Sequence, residues 1–270
     1  MRRVIHEMLY AAGAVALLSS CITLDGTRSF NLLSTQEEVT IGRGIADEIE
    51  AKEKVLDDPA LQQYLNEIGQ RLVAGVERRD VEYQFKVIDA PETVNAFALP
   101  GGFMYVYTGL MKFCDNEAEL ASVMAHEIAH VAAHHHGEAL TRAYGIQLVS
   151  SIILGRNQAQ AARIAGEFIG GMGMRYFSRQ NEFEADAKGM EYLARAGYRP
   201  GAMVSFMQKL AQADQGGGGS RLITLFATHP PASERIARLA ASEQQYPADL
   251  RLNGPVYADR FRERAISRIQ

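Results

Sequence analysis

The feature that most constrains this chain is a histidine pair, His126 and His130, inside a long apolar stretch. Residues four apart lie on one face of an α-helix, so the two imidazoles can reach the same tetrahedral metal ion. Glu127 lies about 100° round the helix from His126, beside the metal, where it can take a proton from an acidified water molecule. The surrounding residues are apolar and predict burial, in which three adjacent polar groups would be costly unless they served a metal. The spacing His-Glu-x-x-His therefore predicts a zinc hydrolase.

The residues alone leave the third metal ligand open. One zinc pattern places a third histidine where His136 stands, but Ala133 replaces the glycine that would break the helix there. Another pattern needs a glutamate about twenty residues downstream, and residues 148–150 include no acid. Glu182 and Asp186 remain, four apart on one helix face. One carboxylate can bind zinc while the other accepts the free N–H of a ligand histidine, although a solvated acidic face has the same pattern.

Local signals predict a mostly helical chain with one small sheet. Alternating apolar residues predict a strand over residues 81–88, and two more strands, 96–99 and 104–107, are joined at a Pro-Gly-Gly turn. The helix that carries the histidine pair is predicted to begin after a cap at Asp115 and to run from 116 to 136. The fold class is therefore α+β, with a small antiparallel sheet beside the zinc-binding helix. Further helices are predicted over 35–54, 59–72, 138–154, 159–170, 179–196, 200–212 and 232–242 and in the C-terminal tail, with a flexible glycine loop at 215–220.

The N-terminus has the pattern of a targeting segment. A basic start is followed by an apolar run over residues 8–18, which is too short to span a bilayer. The run ends in Leu-Ser-Ser-Cys, which resembles a bacterial lipobox, in which Cys21 would become the lipidated first residue; an ordinary secretory signal is the alternative. We therefore predict a lipoprotein signal peptide over 1–20 and a linker over 21–33. Ile22 after the cysteine favours the outer membrane, by resemblance to Gram-negative lipoproteins.

Composition argues against a nucleic-acid-binding protein and against a fold held together by disulfides. The formal net charge is −4, whereas a nucleic-acid partner would usually demand a basic excess. The chain has two cysteines, and lipidation of Cys21 would leave Cys114 without a partner, so no disulfide framework is predicted.

Four blocks of sequence appear in a fixed order over residues 34–242. They are Asn-Ala-Phe-Ala-Leu-Pro-Gly-Gly at 95–102, His-Glu-Ile-Ala-His-Val-Ala-Ala at 126–133, Ser-Arg-Gln-Asn-Glu-Phe-Glu-Ala-Asp at 178–186, and His-Pro-Pro at 229–231 with Glu-Arg-Ile at 234–236. Together these blocks resemble the HtpX and CAAX-prenyl-protease superfamily of gluzincins. The nearest resemblance is to its soluble periplasmic lipoprotein branch, which includes BepA-like and LoiP-like proteins.

The resemblance implies roles around the metal. Glu182 is implied as the third zinc ligand and Asp186 as the carboxylate that supports a ligand histidine. His229 is implied to lie near the metal, where it either polarises the reaction intermediate or fills the fourth metal position in a closed state. On the residues alone, His229 would be part of a helix cap. Arg235 is expected to brace this loop by pairing with an acid.

The resemblance also implies a substrate-binding strand. Asn95, Ala96 and Phe97 resemble the edge strand to which an extended substrate adds beside the zinc. On the residues alone, Asn95 would be a turn residue and Phe97 a core residue. The chain departs from the family pattern at 134–136, where three histidines replace a single one. We interpret them as a polar helix end, where cations are favoured, although His134 could also lie near the zinc.

These observations predict a zinc metallopeptidase domain over residues 34–243 and a C-terminal tail over 244–270. The predicted function is zinc-dependent endopeptidase, with one zinc ion per chain and Glu127 as general base. Its partners would be polypeptide substrates, namely unfolded or misassembled cell-envelope proteins, and the membrane that holds its lipid anchor in the periplasm. The alternative is an envelope assembly or chaperone factor with a latent or structural zinc site, in contact with the assembly machinery.

Overall fold

A computed structural model describes residues 33–153, 159, 163–164, 177–215, 225, 229 and 233–269. The predicted lipobox with Cys21, most of the predicted helix 159–170 and the glycine loop at 216–220 lie outside the described residues. Within the described part, no helix has both the length and the apolar character that crossing a membrane would require.

The first two helices begin at the caps that the sequence predicts. Helix α1 (Thr35–Lys52) follows Ser34, whose hydroxyl accepts the N–H of Glu37 while the Glu37 carboxylate accepts the N–H of Ser34. Helix α2 (Pro59–Val73) follows Asp58, whose carboxylate accepts two backbone N–H groups of the first turn. These caps satisfy N–H groups that have no partner within the helix.

The sheet has three strands, β1 (Gln84–Ile88), β2 (Ala96–Ala98) and β3 (Phe103–Tyr107), in the order β1-β3-β2. Strands β2 and β3 are antiparallel and are joined by the short 3₁₀ turn Pro100–Gly102. Gly101 has a φ of 79°, a conformation that glycine adopts without steric cost.

The α+β class is confirmed, but the sheet is mixed and not antiparallel throughout. β1 pairs with β3 in parallel, with Gln84 opposite Phe103. The chain crosses from β1 to the far edge, forms β2 in the opposite direction, and returns through the turn to place β3 in the middle. Two reversals make β3 parallel to β1, a consequence of strand order that local alternation could not indicate.

The sheet separates two parts of the core. Met104 and Val106 on β3 face the larger cluster, which includes residues of α2 and of the long central helix. Phe103, Tyr105 and Tyr107 face the opposite way, toward the buried isoleucines of α1. Every residue of β3 is therefore buried, and the sheet gives the neighbouring helices a fixed support.

The central helix is α4 (Glu117–Ala132), which follows the short helix α3 (Thr108–Phe113). Asn116 caps α4 by accepting the N–H of Glu119, so the cap lies one residue later than the predicted Asp115. Every residue of α4 is buried, including both histidines of the predicted motif.

Helix α4 ends earlier than the sequence predicts. The helix stops at Ala132, His134 has a φ of 58°, and a new helix, α5 (His135–Ile153), begins directly after it. Histidine is one of the few non-glycine residues enriched in this left-handed conformation. The His134 ring lies 3.1 Å from the carboxylate of Glu38 on α1, which is itself ion-paired with Arg78 at 2.6 Å. The predicted continuous helix to residue 136 was therefore wrong.

Later helices of the described chain pack against α4. Helix α6 (Arg179–Arg195) packs against α4, with Gly189 at the contact, where a Cβ atom would lie 3.0 Å from the backbone of His126. This absence of a side chain lets the two helices approach closely. The later helices are α7 (Gly201–Gln215), α8 (Ser233–Glu243), α9 (Ala248–Asn253) and α10 (Ala258–Arg264), followed by a 3₁₀ turn at Ile266–Arg268.

The C-terminal tail is tied to the start of α4. Its last α-helix buries Phe261 in the core, and Arg260 donates to the carboxylate of Glu117, which is fully buried. Tyr64 and Tyr198 donate to the same carboxylate, each at 2.6 Å. The predicted single tail helix is instead two short helices.

Candidate metal centre

Four buried side chains from three parts of the fold converge beside α4. They are His126 and His130 on α4, Glu182 on α6, and His229, and each offers a ligand atom within 4.8 Å of all the others. The two Nε2 atoms of the α4 histidines are 3.1 Å apart, and Nδ1 of His229 lies 3.0 Å from Oε1 of Glu182. Three imidazole nitrogens and one carboxylate oxygen are a donor set that suits zinc.

The protonation of these groups also fits a metal. Burial lowers the pKa of His130 well below its ordinary value, so its ring is neutral, as a metal ligand must be. Burial would raise the pKa of Glu182, but the charge and hydrogen bonds of the neighbouring histidines outweigh it and lower that pKa, so the carboxylate is ionised. Burial would lower the pKa of His126, but hydrogen bonds to Asp186 and Glu182 raise it to about 9. Without a metal, His126 therefore holds the proton that a metal ion would replace.

Glu127 lies beside this cluster and is fully buried. Its Oε2 atom accepts the backbone N–H of Ala98 on β2 at 3.0 Å, which fixes the orientation of the carboxylate. Its Oε1 atom lies 3.3 Å from Nε2 of His229 and has no hydrogen-bond partner among the described residues. A buried carboxylate oxygen that faces the metal ligands in this way is placed to accept a proton.

A charged pair stands behind the ligands. Oδ1 of Asp186 lies 3.0 Å from Nδ1 of His126, on the side of the ring away from the cluster. Arg235 donates to both oxygens of Asp186 at 2.7 Å and lies 2.8 Å from Glu182. Burial would raise the pKa of Asp186, but the hydrogen bonds from Arg235 and His126 lower it. The structure thus places Asp186 and Arg235 where they can orient His126 and Glu182.

Two of the three consecutive histidines are buried, which contradicts their interpretation as a polar helix end. His135 is 3% exposed and its Nδ1 atom lies 3.0 Å from Nδ1 of His130. His136 is 2% exposed and lies outside the ligand cluster, so it is no third ligand even though the helix does break before it. The contact of His135 was not predicted, because a continuous helix over residues 116–136 would point its ring elsewhere.

The predicted substrate strand lies at the edge of the sheet. Among the residues that the structure describes, β2, which includes Ala96 and Phe97, pairs with β3 on one side only. The Phe97 ring is 2% exposed and packs against two tyrosine rings of β3, so its side chain is in the core. Asn95 is 1% exposed, and neither polar atom of its side chain has a hydrogen-bond partner among the described residues. A peptide at this edge would therefore contact β2 through the backbone.

An apolar pocket opens from the metal cluster. The pocket lies between the cluster and helix α7. Its apolar wall consists of Val123, Met203, Phe206, Met207, Leu210 and Leu225. The pocket therefore places apolar side chains directly beside Glu127 and the ligand histidines.

Comparison with known proteins shows sequence similarity over most of the chain. The sequence profile of peptidase family M48 matches residues 59–243. The beta-barrel assembly-enhancing protease of Escherichia coli is 35% identical over 244 residues, which cover 86% of this chain and 50% of that protein. The putative beta-barrel assembly-enhancing protease of Vibrio cholerae is 32% identical over 231 residues (82% and 47%), and the mitochondrial metalloendopeptidase OMA1 of Schizosaccharomyces pombe is 32% identical over 182 residues (65% and 51%). The chain spans about half the length of these curated relatives. The matched region includes α4, α6 and all four residues of the metal cluster, and the chain belongs to peptidase family M48.

Proposed function

We propose that this chain is a zinc-dependent endopeptidase that acts on unfolded or misassembled cell-envelope proteins. The observation that carries the proposal is the cluster of His126, His130 and Glu182 with the carboxylate of Glu127 beside it. Membership of family M48 supports the same chemistry. The relatives named as beta-barrel assembly-enhancing proteases support a link with the envelope.

The residues of the cluster and Glu127 have different roles in peptide hydrolysis. His126, His130 and Glu182 would hold the zinc ion. When bound, zinc supplies a Lewis acid that polarises the peptide carbonyl and acidifies water. Glu127 takes the proton from the attacking water and returns it to the leaving amine, while Ala98 N–H keeps its second oxygen in place.

The edge of β2 suggests the form of the substrate. An extended peptide can add to a strand edge through backbone hydrogen bonds, which do not depend on its side chains; at this edge the N–H of Ala98 is already bonded to Glu127, so the other backbone groups of the edge would hold the peptide. A folded protein rarely offers such a segment, so the substrates would be unfolded chains. The apolar residues that line the pocket beside Glu127 would favour an apolar side chain next to the cleaved bond.

Metal removal tests this proposal. The purified chain is expected to contain about one zinc ion, to cleave casein, to lose cleavage with a chelator and to regain it when zinc is added back. Zinc content is measured by mass spectrometry and cleavage by gel electrophoresis. Casein cleavage that persists in metal-free protein would contradict the proposal.

The position of His229 favours a second candidate, a latent site in an envelope assembly factor. With His229 included, the cluster offers four protein ligands, the arrangement of closed structural zinc sites, whereas catalytic sites leave one position open. Cleavage then requires His229 to move away.

We expect His229→Ala to raise basal casein cleavage, because the fourth position would be open to water. The measurement is the initial rate of cleavage at saturating zinc, compared with that of the wild type. A loss of cleavage with zinc still bound would instead assign His229 to stabilising the reaction intermediate.

We also propose that Cys21 anchors the chain to the outer membrane, facing the periplasm. Acyl chains on a cysteine hold a protein at a bilayer without a membrane-spanning helix. Replacement of Cys21 by serine is expected to move the protein from the membrane fraction to the soluble periplasmic fraction. A mature wild-type protein whose Cys21 carries no acyl chains by mass spectrometry would refute the anchor.

A further inference from the structure

A histidine that binds zinc through one nitrogen carries a proton on the other, and that N–H normally donates to a fixed acceptor. For His126 the acceptor is Asp186, at 3.0 Å. The Nδ1 atom of His130 faces no carboxylate among the described residues; the group in that place is the ring of His135, with its Nδ1 atom 3.0 Å away. We propose that His135 is a positioning residue that accepts the N–H of His130 and so orients it toward the metal.

The direction of each hydrogen bond follows from the protons available. When Nε2 of His130 binds the metal, its proton is on Nδ1, so His130 donates and Nδ1 of His135 accepts. The proton of His135 is then on Nε2, which lies 3.5 Å from Oε2 of Glu184 on α6. The negative charge of Glu184 thus lies on the side of His135 away from His130, where it favours a proton on Nε2 and leaves Nδ1 as the acceptor.

The backbone break explains how His135 reaches this place. On a continuous helix, a residue five positions after His130 would lie about 140° round the axis and point elsewhere. The left-handed conformation of His134 ends α4 and redirects the chain, so that the ring centroids of His130 and His135 come within 5.0 Å. The Phe177 ring stacks on His130 at 4.0 Å and holds it from the other side.

Because both rings are buried, loss of the hydrogen bond between His130 and His135 would be costly. His130 is 0% exposed and His135 is 3% exposed, so water cannot easily replace either partner. Loss of the acceptor would leave a buried N–H unpaired and would free the ligand ring to turn. Removing such a supporting partner typically weakens metal affinity by about 10- to 100-fold.

The test compares two replacements of His135. It rests on the proposed function only in that both require zinc to bind at this cluster. Asparagine places a carbonyl oxygen near the position of Nδ1 and keeps an acceptor, whereas leucine fills the space without one. Zinc affinity is measured by competition with a chromophoric chelator. The d–d absorption spectrum of the cobalt-substituted protein reports ligand geometry independently of cleavage.

We expect His135→Leu to weaken zinc binding by about 10- to 100-fold and to alter the cobalt spectrum, and His135→Asn to restore most of the affinity. His136→Leu is the matched control, because this neighbouring buried histidine makes no hydrogen bond to His130; its zinc affinity should equal that of the wild type. Equal affinities for wild type and His135→Leu, or equal losses for leucine and asparagine, would overturn the proposal and leave the proposed function standing. A wild-type chain that binds no zinc would overturn both.

Discussion

Replacement of Glu127 by glutamine is expected to lower kcat for peptide cleavage by about 100- to 10,000-fold, the usual contribution of a general base. Glutamine has nearly the same shape and keeps an oxygen that can accept the N–H of Ala98, but it takes up no proton. Glu127 is outside the ligand cluster, so the variant should keep its zinc. The measurement is kcat on an unfolded substrate together with zinc content.

A second glutamate on the same helix provides the control. Glu119 is also buried, and its carboxylate pairs with Lys209. Glu119→Gln makes the same chemical change on α4 away from the cluster and should leave kcat close to the wild-type value. If Glu127→Gln cleaved at the wild-type rate, Glu127 would not be the base. If the variant lost its zinc, its lower kcat would reflect the missing metal and not a missing base.

Replacement of Arg235 by leucine is expected to destabilise the metal-free protein by about 3–5 kcal/mol, the usual cost of breaking a buried ion pair on one side. Arg235 is 3% exposed and contacts two buried carboxylates, Asp186 and Glu182. Without the guanidinium, their negative charges would remain buried with less compensation. Bound zinc would offset part of this loss, because the metal ion also neutralises Glu182. The measurement is the free energy of unfolding in urea with a chelator present.

Arg238 is the matched control, one turn further along α8. It also pairs with a glutamate, Glu234, but its side chain is 59% exposed. Exposed pairs of this kind contribute about 0.3–0.5 kcal/mol and the contact of Arg238 with the Phe183 ring adds about 0.5–1 kcal/mol, so Arg238→Leu should cost far less than Arg235→Leu. Equal, small effects at the two arginines would contradict the expected cost of leaving Asp186 and Glu182 buried without Arg235.

The parts of the site that the sequence predicted are those encoded locally. A four-residue spacing on an apolar helix is enough to place His126 and His130 side by side, and the caps at Ser34 and Asp58 mark helix starts from neighbouring residues alone. The grouping of Glu182 with these histidines required the resemblance to a family, because α4 and α6 meet through tertiary packing.

The parts that were not predicted depend on residues far apart in the chain. The break at His134 involves a contact with Glu38, 96 positions earlier, and helix propensity at Ala132 and Ala133 predicts the opposite. The contact of His135 with His130 follows from that break. In the same way, the parallel pairing of β1 with β3 follows from strand order and not from the residues of either strand.

A crystal structure of the zinc-loaded protein, with an anomalous difference map at the zinc edge, tests the assignment of the metal site most directly. We expect a single peak about 2.0–2.2 Å from Nε2 of His126, Nε2 of His130 and an oxygen of Glu182, with Glu127 beside the metal but not bound to it. A map without a peak at this cluster, or with zinc held by other residues, would contradict the assignment of the site.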